Sequence, residues 1–532
     1  MTDQIFLGSR HAGLDEEVIV EMENGKLRGM RKNGASCFKG IPYAAATGGT
    51  NRFMAPQPVE NWAGIRDALK LGNRCCQERE TFGDARILSW YGQTEPFGED
   101  CCVLNVFTPG VDAARRPVMV YIHGGGYFTG GGGGAVLDGS NLAKFGDVVV
   151  VTINHRLNAF GYTNLNHLGE ERFGDAANAG HLDLIAALKW VSRNITAFGG
   201  DPGSVTLFGQ SGGGSKIMVL MGMPAAKGLF HRAINMSGST GTTVAPAATT
   251  EPYVNELLKQ LGIEKGNLET LQKLPADTLI NARIAAVAAK REGARPVIDG
   301  RHVVASPMSP QGLALHASVP LLIGTTRTEA TFYFASDPRN LRLTENQVKA
   351  RIKAQFGVDD AKANDIMAAY RVDEPQRTPS ELLVALITDT LFRIPMMHAA
   401  DAKADANEAP VYMYNFVWKA PVDGGIWGSP HTIDIPFAFG NTDKATSLLG
   451  TGSDHMEVSR NLMAAFVAFA KSGNPNNTHM PEWKPYNGLT RATMTVDVNC
   501  QAVNDFHGAD RIAGSQLRLE AYNRAALLTY SD

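Results

Sequence analysis

No stretch of this chain is dense enough in lysine and arginine to track a phosphate backbone or an anionic lipid surface. Its 50 basic residues are spread along the sequence and balanced by 53 acidic ones, for a net charge of -3. Nucleic acid is therefore not an expected partner. No apolar run approaches the length of a membrane span. The first ten residues, Met1 to Arg10, lack a basic region followed by a long apolar core. Neither a membrane partner nor a signal peptide is expected, and a cytoplasmic location is the default. Cysteine is scarce as well, with six in 532 residues: Cys37, Cys75, Cys76, Cys101, Cys102 and Cys500. Neither adjacent pair forms C-x-x-C and no histidine stands at ligand spacing, so no zinc site is expected. These cysteines read either as reduced, partly buried thiols or as one disulfide across the segment between the two pairs.

Glycine is abundant, at 56 residues, and two of its clusters punctuate apolar runs. Ser204-Val205-Thr206-Leu207-Phe208 leads directly into Gly209-Gln210-Ser211-Gly212-Gly213-Gly214. A buried strand entering Gly-x-Ser-x-Gly is the pattern of a sharp strand-to-helix turn that lifts a serine hydroxyl above a sheet edge. The flanking glycines suit the crowding of such a turn. Pro117-Val118-Met119-Val120-Tyr121-Ile122 is a second continuous apolar run, and it ends in His123-Gly124-Gly125-Gly126. Successive glycines let backbone N–H groups converge on one developing oxyanion.

The remaining chain reads as an α/β protein with a large, mostly parallel central sheet flanked by helices. A small N-terminal hairpin spans 18–30 with Asn24-Gly25 at its turn. Further strands are expected at 99–107, 148–153, 233–236, 320–324, 410–416 and 492–498. Leu184, Leu188, Val191 and Ile195 recur at helical spacing, so 182–197 is an amphipathic helix. Leu462, Phe466 and Phe469 mark another that ends at Gly473, and 517–528 reads as a closing helix. The stretch 240–300 is helix-rich, lacks sheet motifs and reads as an insertion over the site.

The sequence resembles the type-B carboxylesterases, the family that includes the cholinesterases, within the α/β-hydrolase fold. The resemblance runs from Gly40-Ile41-Pro42-Tyr43-Ala44 through Asn178-Ala179-Gly180-His181-Leu182-Asp183, Phe198-Gly199-Gly200-Asp201-Pro202 and His431-Thr432-Ile433-Asp434-Ile435-Pro436-Phe437 to Glu482-Trp483-Lys484-Pro485-Tyr486. It implies one α/β-hydrolase domain over 1–532, and a Ser, Glu, His triad of Ser211, Glu329 and His431. Thr328-Glu329-Ala330 departs from the usual Asp-Glu-Gly on both sides, and Asp434 is the rival carboxylate. Backbone N–H groups of Gly125, Gly126 and Gly212 are the implied oxyanion donors. Gln210 and Gly212 stand where relatives carry Glu and Ala. Gln210, Asp434 and Ser237 are expected beside the triad. The resemblance further implies buried ion pairs Arg52 with Glu99 and Arg156 with Asp183, and matches Cys75 and Cys101 to a disulfide of secreted relatives.

A serine hydroxyl is a poor nucleophile until a histidine removes its proton and a carboxylate orients that histidine. The expected activity is hydrolysis of carboxylic esters through an acyl-enzyme, with no metal or organic cofactor. An uncharged Gln210 beside the nucleophile favours neutral or aromatic esters over cationic ones, reached by a narrow apolar approach under the insertion. An amidase, carbamate hydrolase or transacylase would use the same framework. A non-catalytic adhesion or binding protein is the reading from a different class, and the intact triad argues against it. The oligomeric state is left open.

Overall fold

The computed structural model describes residues 15–78, 89–92, 94–238, 244–290, 293–335 and 337–517. Its strands, in chain order, are β1 (Glu16–Met22), β2 (Gly25–Lys32), β3 (Ala35–Pro42), β4 (Ile65–Asp67), β5 (Val103–Thr108), β6 (Arg116–Ile122), β7 (Val149–Ile153), β8 (Gly200–Gln210), β9 (Arg232–Met236), β10 (Ala245–Pro246), β11 (Val297–Ile298), β12 (Leu321–Thr326), β13 (Val411–Phe416), β14 (Thr493–Val496) and β15 (Gln501–Val503). All but β10 and β11, which pair with each other, belong to one sheet of order β1-β2-β3-β5-β7-β6-β8-β9-β12-β13-β14-β15, with β4 beside β2. The run from β7 to β14 is parallel, and both ends of the sheet are antiparallel. The N-terminal hairpin is thus no separate sheet: β3 pairs with β5 and carries the hairpin on as the sheet's edge. Its loop residues are Glu23 and Asn24, since Met22 pairs with Gly25.

Alternation along the central strands divides the core in two. Val118, Val120 and Ile122 of β6 face one side with Val205 and Leu207 of β8, where the helix Ala179–Asn194 sets down Leu184, Leu188 and Val191. Met119, Tyr121 and Phe208 face the other side, against Leu462, Phe466 and Phe469 of the helix Asp454–Ser472. Strands buried on both faces need no polar alternation, which is why they read as continuous apolar runs. Burying each such side chain contributes roughly 1.5–3 kcal/mol.

Two helical excursions leave the sheet. Helices Glu251–Leu261, Glu269–Lys273 and Ala276–Lys290 lie within the expected insertion, of which 240–243 and 291–292 are outside the described residues. They pack on Phe53, Tyr127, Phe160 and Tyr162. The longer excursion, between β12 and β13, was not singled out by the sequence. It includes the helices Glu345–Phe356 and Pro379–Thr388, each opened by a capping box, Thr344 with Gln347 and Thr378 with Glu381. The helical stretch Pro379–Ala406 is long and apolar enough to cross a membrane by composition, yet 83% of its apolar window is buried inside the protein, as a core helix requires. The closing helix expected over 517–528 lies, but for Leu517, outside the described residues.

The two expected ion pairs are present. Arg52 meets the Glu99 carboxylate at 2.6 and 2.7 Å, and Arg156 meets Asp183 at 2.6 and 2.8 Å with both side chains buried. All six cysteines are free thiols, so Cys75 and Cys101 are not joined.

Candidate active site

Open parallel sheets place ligands beyond the carboxyl ends of their strands, and here the chemistry-bearing residues gather at those ends. β8 runs directly into Ser211, which takes φ +56° and ψ -123° before the helix Gly212–Met221 begins. This left-handed conformation is costly for a residue with a Cβ and marks a constrained turn. The Ser211 N–H donates to the Met236 carbonyl at 2.7 Å, which ties the turn to the end of β9. Glycine at 209 and 213 is obligatory: a Cβ on either would lie 2.7 Å or less from backbone atoms of Gly213 or Ile122.

Glu329 stands three residues beyond β12, fully buried. One carboxylate oxygen accepts from Ser237 Oγ at 2.6 Å and from the Thr326 N–H at 2.7 Å; the other lies 2.5 Å from His431 Nδ1. A carboxylate with both oxygens engaged holds one orientation, and through Nδ1 it fixes the imidazole tautomer that leaves Nε2 as the basic nitrogen. Asp434, the rival carboxylate, does not reach His431. It accepts from Tyr414 Oη at 3.0 Å, and burial together with the Glu329 charge pushes its carboxyl up to about 7.

The unusual neighbours of Glu329 bind its loop to the loop that carries His431. The Thr328 N–H donates to the Ser429 carbonyl at 3.1 Å, and the Thr328 hydroxyl oxygen accepts from the Ser429 N–H at 2.8 Å. Ala330 N–H donates to Thr388 Oγ1 in the longer excursion. The His431 loop carries its own strain, since β-branched Thr432 has φ +79°.

Gln210 is fully buried, with its amide nitrogen 3.3 Å from His431 Nε2 and 3.4 Å from Nδ1. A group nearly equidistant from both ring nitrogens lies off the lone-pair direction of either. No hydrogen bond joins Ser211 Oγ to His431 among the described residues. In enzymes without substrate such bonds are often long and tighten only in the Michaelis complex.

Opposite Ser211 lies the loop after β6. Gly125 and Gly126 have φ +84° and +62°, and a Cβ on Gly212 would fall 2.3 to 2.5 Å from backbone atoms of Gly126. Glycine at 212 therefore allows a backbone approach that alanine would block. Among the described residues, nothing accepts from the N–H groups of Gly125, Gly126 or Gly212. Three backbone donors thus stand on two touching segments beside Ser211.

Three rings crowd the imidazole. Phe332 and Tyr333 follow Glu329 on its own short helix, with centroids 5.6 and 5.7 Å from that of His431. Phe392 approaches to 5.0 Å from a π-helical turn, Asp389–Arg393, of the longer excursion. Single π turns frequently mark functional positions. Phe392 carries no local sequence signal, since only the folded excursion brings it 39 residues back to His431. On the other side, a Cβ at Gly293, near the end of the expected insertion, would meet the ring of Phe128, which itself lies against Gly126.

Residues 16–513 match the model of the Carboxylesterase family. The chain is 36% identical to a para-nitrobenzyl esterase of Bacillus subtilis, over 92% of this chain and 96% of that protein. It is 32% identical to a phenmedipham hydrolase of Pseudarthrobacter oxydans, over 92% of this chain and 97% of that protein. The crystal structure of a Geobacillus stearothermophilus carboxylesterase superposes with a TM-score of 0.80 at 33% identity, covering 93% of this chain and 99% of that one. With the family's match running over nearly its whole length and the serine turn, glycine loop and Glu–His pair set at one sheet edge, the chain belongs to the Carboxylesterase family.

Proposed function

We propose that this carboxylesterase hydrolyses neutral or aromatic esters through an acyl-enzyme on Ser211. Ser211 Oγ attacks the ester carbonyl while His431 Nε2 takes its proton. The carbonyl oxygen becomes an oxyanion that accepts from the Gly125, Gly126 and Gly212 N–H groups. Collapse breaks the bond to the leaving alkoxide, which receives the proton from His431 and departs as the alcohol. Water then attacks the acyl carbon with His431 as base, and the acid leaves as Ser211 recovers its proton. Glu329 holds the imidazole and stabilises its charged form. Ser237 orients Glu329, and Asp434, bonded to Tyr414, belongs to the support of the His431 loop.

The observation that carries this reading is the 2.5 Å approach of Glu329 to His431, with the second carboxylate oxygen satisfied by Ser237 and Thr326. Preference for neutral or aromatic esters rests on the uncharged Gln210 and on the rings of Phe332, Tyr333 and Phe392 around His431. A relative's name, para-nitrobenzyl esterase, fits the same preference. These rings and the Phe128–Gly293 contact supply the walls of a narrow apolar approach. Buried free thiols at Cys75, Cys101 and Cys102 fit a reducing compartment and so a cytoplasmic location.

A burst assay with a short-chain nitrophenyl ester, with and without a serine-directed phosphonate, tests the mechanism. The expected result is loss of turnover with one label per chain, mapped to Ser211. A label elsewhere, or turnover that survives full labelling, would overturn it.

A further inference from the structure

Five residues past Ser211, on the helix Gly212–Met221, Lys216 is wholly buried. No carboxylate pairs with it among the described residues, and burial pushes its ammonium down to about 7. Its surroundings are the rings of three buried histidines, His123, His155 and His181, each held neutral by burial and by the nearby lysine. A buried cation without a counter-charge costs stability that an apolar side chain would not. Among the described residues, the one hydrogen bond its amine makes is with the His123 carbonyl, at 3.0 Å.

That carbonyl is the first of three, in consecutive residues at the base of the glycine loop, each held by a specific donor. Lys216 Nζ holds His123 O, His123 Nδ1 lies 2.8 Å from Gly124 O, and the Phe128 and Thr129 N–H groups hold Gly125 O at 3.2 and 3.1 Å. In a trans peptide the carbonyl and the following N–H point opposite ways. Holding these carbonyls therefore aims the N–H groups of Gly124, Gly125 and Gly126. Among the described residues, Lys216 is the only donor to these three carbonyls from outside the loop, and it comes from the helix whose first N–H is that of Gly212. Gly213 permits the approach, since a Cβ there would sit 1.9 Å from Ile122 O and 3.1 Å from His123 O.

We propose that Lys216 is a positioning residue that ties the glycine loop to the nucleophile helix, so that the oxyanion donors on the two segments keep one fixed geometry. This rests on the Ser211 mechanism and adds to it a residue that touches neither substrate nor serine. It acts on the transition state, where the oxyanion forms, more than on ground-state binding, so its loss should lower kcat and spare KM.

The test compares wild type with Lys216→Met, which fills the same space without a donor, in full-length protein. Lys216→Leu carries the same readouts should the methionine variant fail to fold. One portion of wild type and of variant is treated with the phosphonate and mapped, and an untreated portion of each is assayed with the nitrophenyl ester. The expected result is one label on Ser211 in each, KM within about twofold and kcat lower by about 10- to 100-fold, less than the loss of a whole oxyanion donor. The rate of phosphonylation should fall with kcat. Full labelling with kcat unchanged, or KM rising as far as kcat falls, would overturn the role of Lys216 alone. A wild type that takes no label on Ser211 would overturn the mechanism and this role together.

Discussion

Glu329 and His431 come from loops 102 residues apart and meet at 2.5 Å, while Asp434, only three residues from His431, turns away to Tyr414. Nearness in sequence thus misleads, and the partner is set by β12 ending beside the His431 loop.

The pairing predicts a sharp contrast between two isosteric substitutions. Glu329→Gln removes the charge that stabilises the imidazolium and can present the wrong hydrogen-bonding group to Nδ1, so kcat should fall by roughly 10³- to 10⁴-fold. Asp434→Asn keeps the bond with Tyr414 and removes a carboxyl already raised to about 7, so kcat should fall by less than about 10-fold. Steady-state kinetics on the two variants checks this, and a larger loss in the asparagine variant would reverse the assignment.

How much of this was legible beforehand follows from range. Ser211 and the glycine loop are local patterns, each a buried strand closed by glycines, and the backbone alone imposes them. His431 and Glu329 were reached through the family resemblance and the chain order of the triad. Ser237 was expected near the triad, but its bond to Glu329 spans 92 residues, and the link from Thr328 to Ser429 spans 101. No periodicity encodes such contacts. Phe392 was missed for the same reason. The stretch 240–300 reads as helix-rich and without sheet motifs, yet the short parallel pair β10 and β11 lies at its two ends, and it is the excursion between β12 and β13 that delivers the ring that touches His431.

Gly212 offers a second test, because the departure from alanine proves to be structural. A Cβ at 212 would stand 2.3 Å from the Gly126 carbonyl oxygen, a contact that only movement of backbone can relieve. Gly212→Ala should therefore push the glycine loop away and lower kcat by about 10- to 100-fold with little change in KM, since a misaimed donor weakens the transition state first. An unchanged kcat would show that the loop has room to give.

Gln210 sets the charge beside the imidazole. Gln210→Glu would place a carboxylate 3 to 4 Å from both ring nitrogens, which favours the protonated ring. The base form is then lost at higher pH, so the acid limb of the kcat profile should move up by about one pH unit or more. The same charge should raise kcat/KM for a cationic ester relative to a neutral one of equal size. A preference and a profile both unchanged would show that charge at position 210 governs neither the imidazole nor the choice of ester.

Lys216 makes stability fall as pH falls, the same direction as acid unfolding but in a window that begins far above the carboxylate range. In the unfolded chain its amine keeps its proton up to about pH 10.4, whereas in the fold burial brings it down to about 7. Between those values the unfolded chain binds the extra proton, so this residue makes stability rise with pH across that window. Below pH 7 the full cost of burying the ammonium weighs on the fold. Lys216→Met removes that cost, so the variant should be more stable than wild type at pH 6, by an amount on the order of a few kcal/mol. The margin should shrink as pH rises from 7 toward 10, where the wild-type amine is neutral in the fold. Paired thermal melts from pH 6 to 10 read the margin directly, and one that stays constant would mean that Lys216 does not lose its proton within the fold. Slower catalysis together with higher stability in one variant is the combination that separates a lysine kept for positioning from one that merely fills the core.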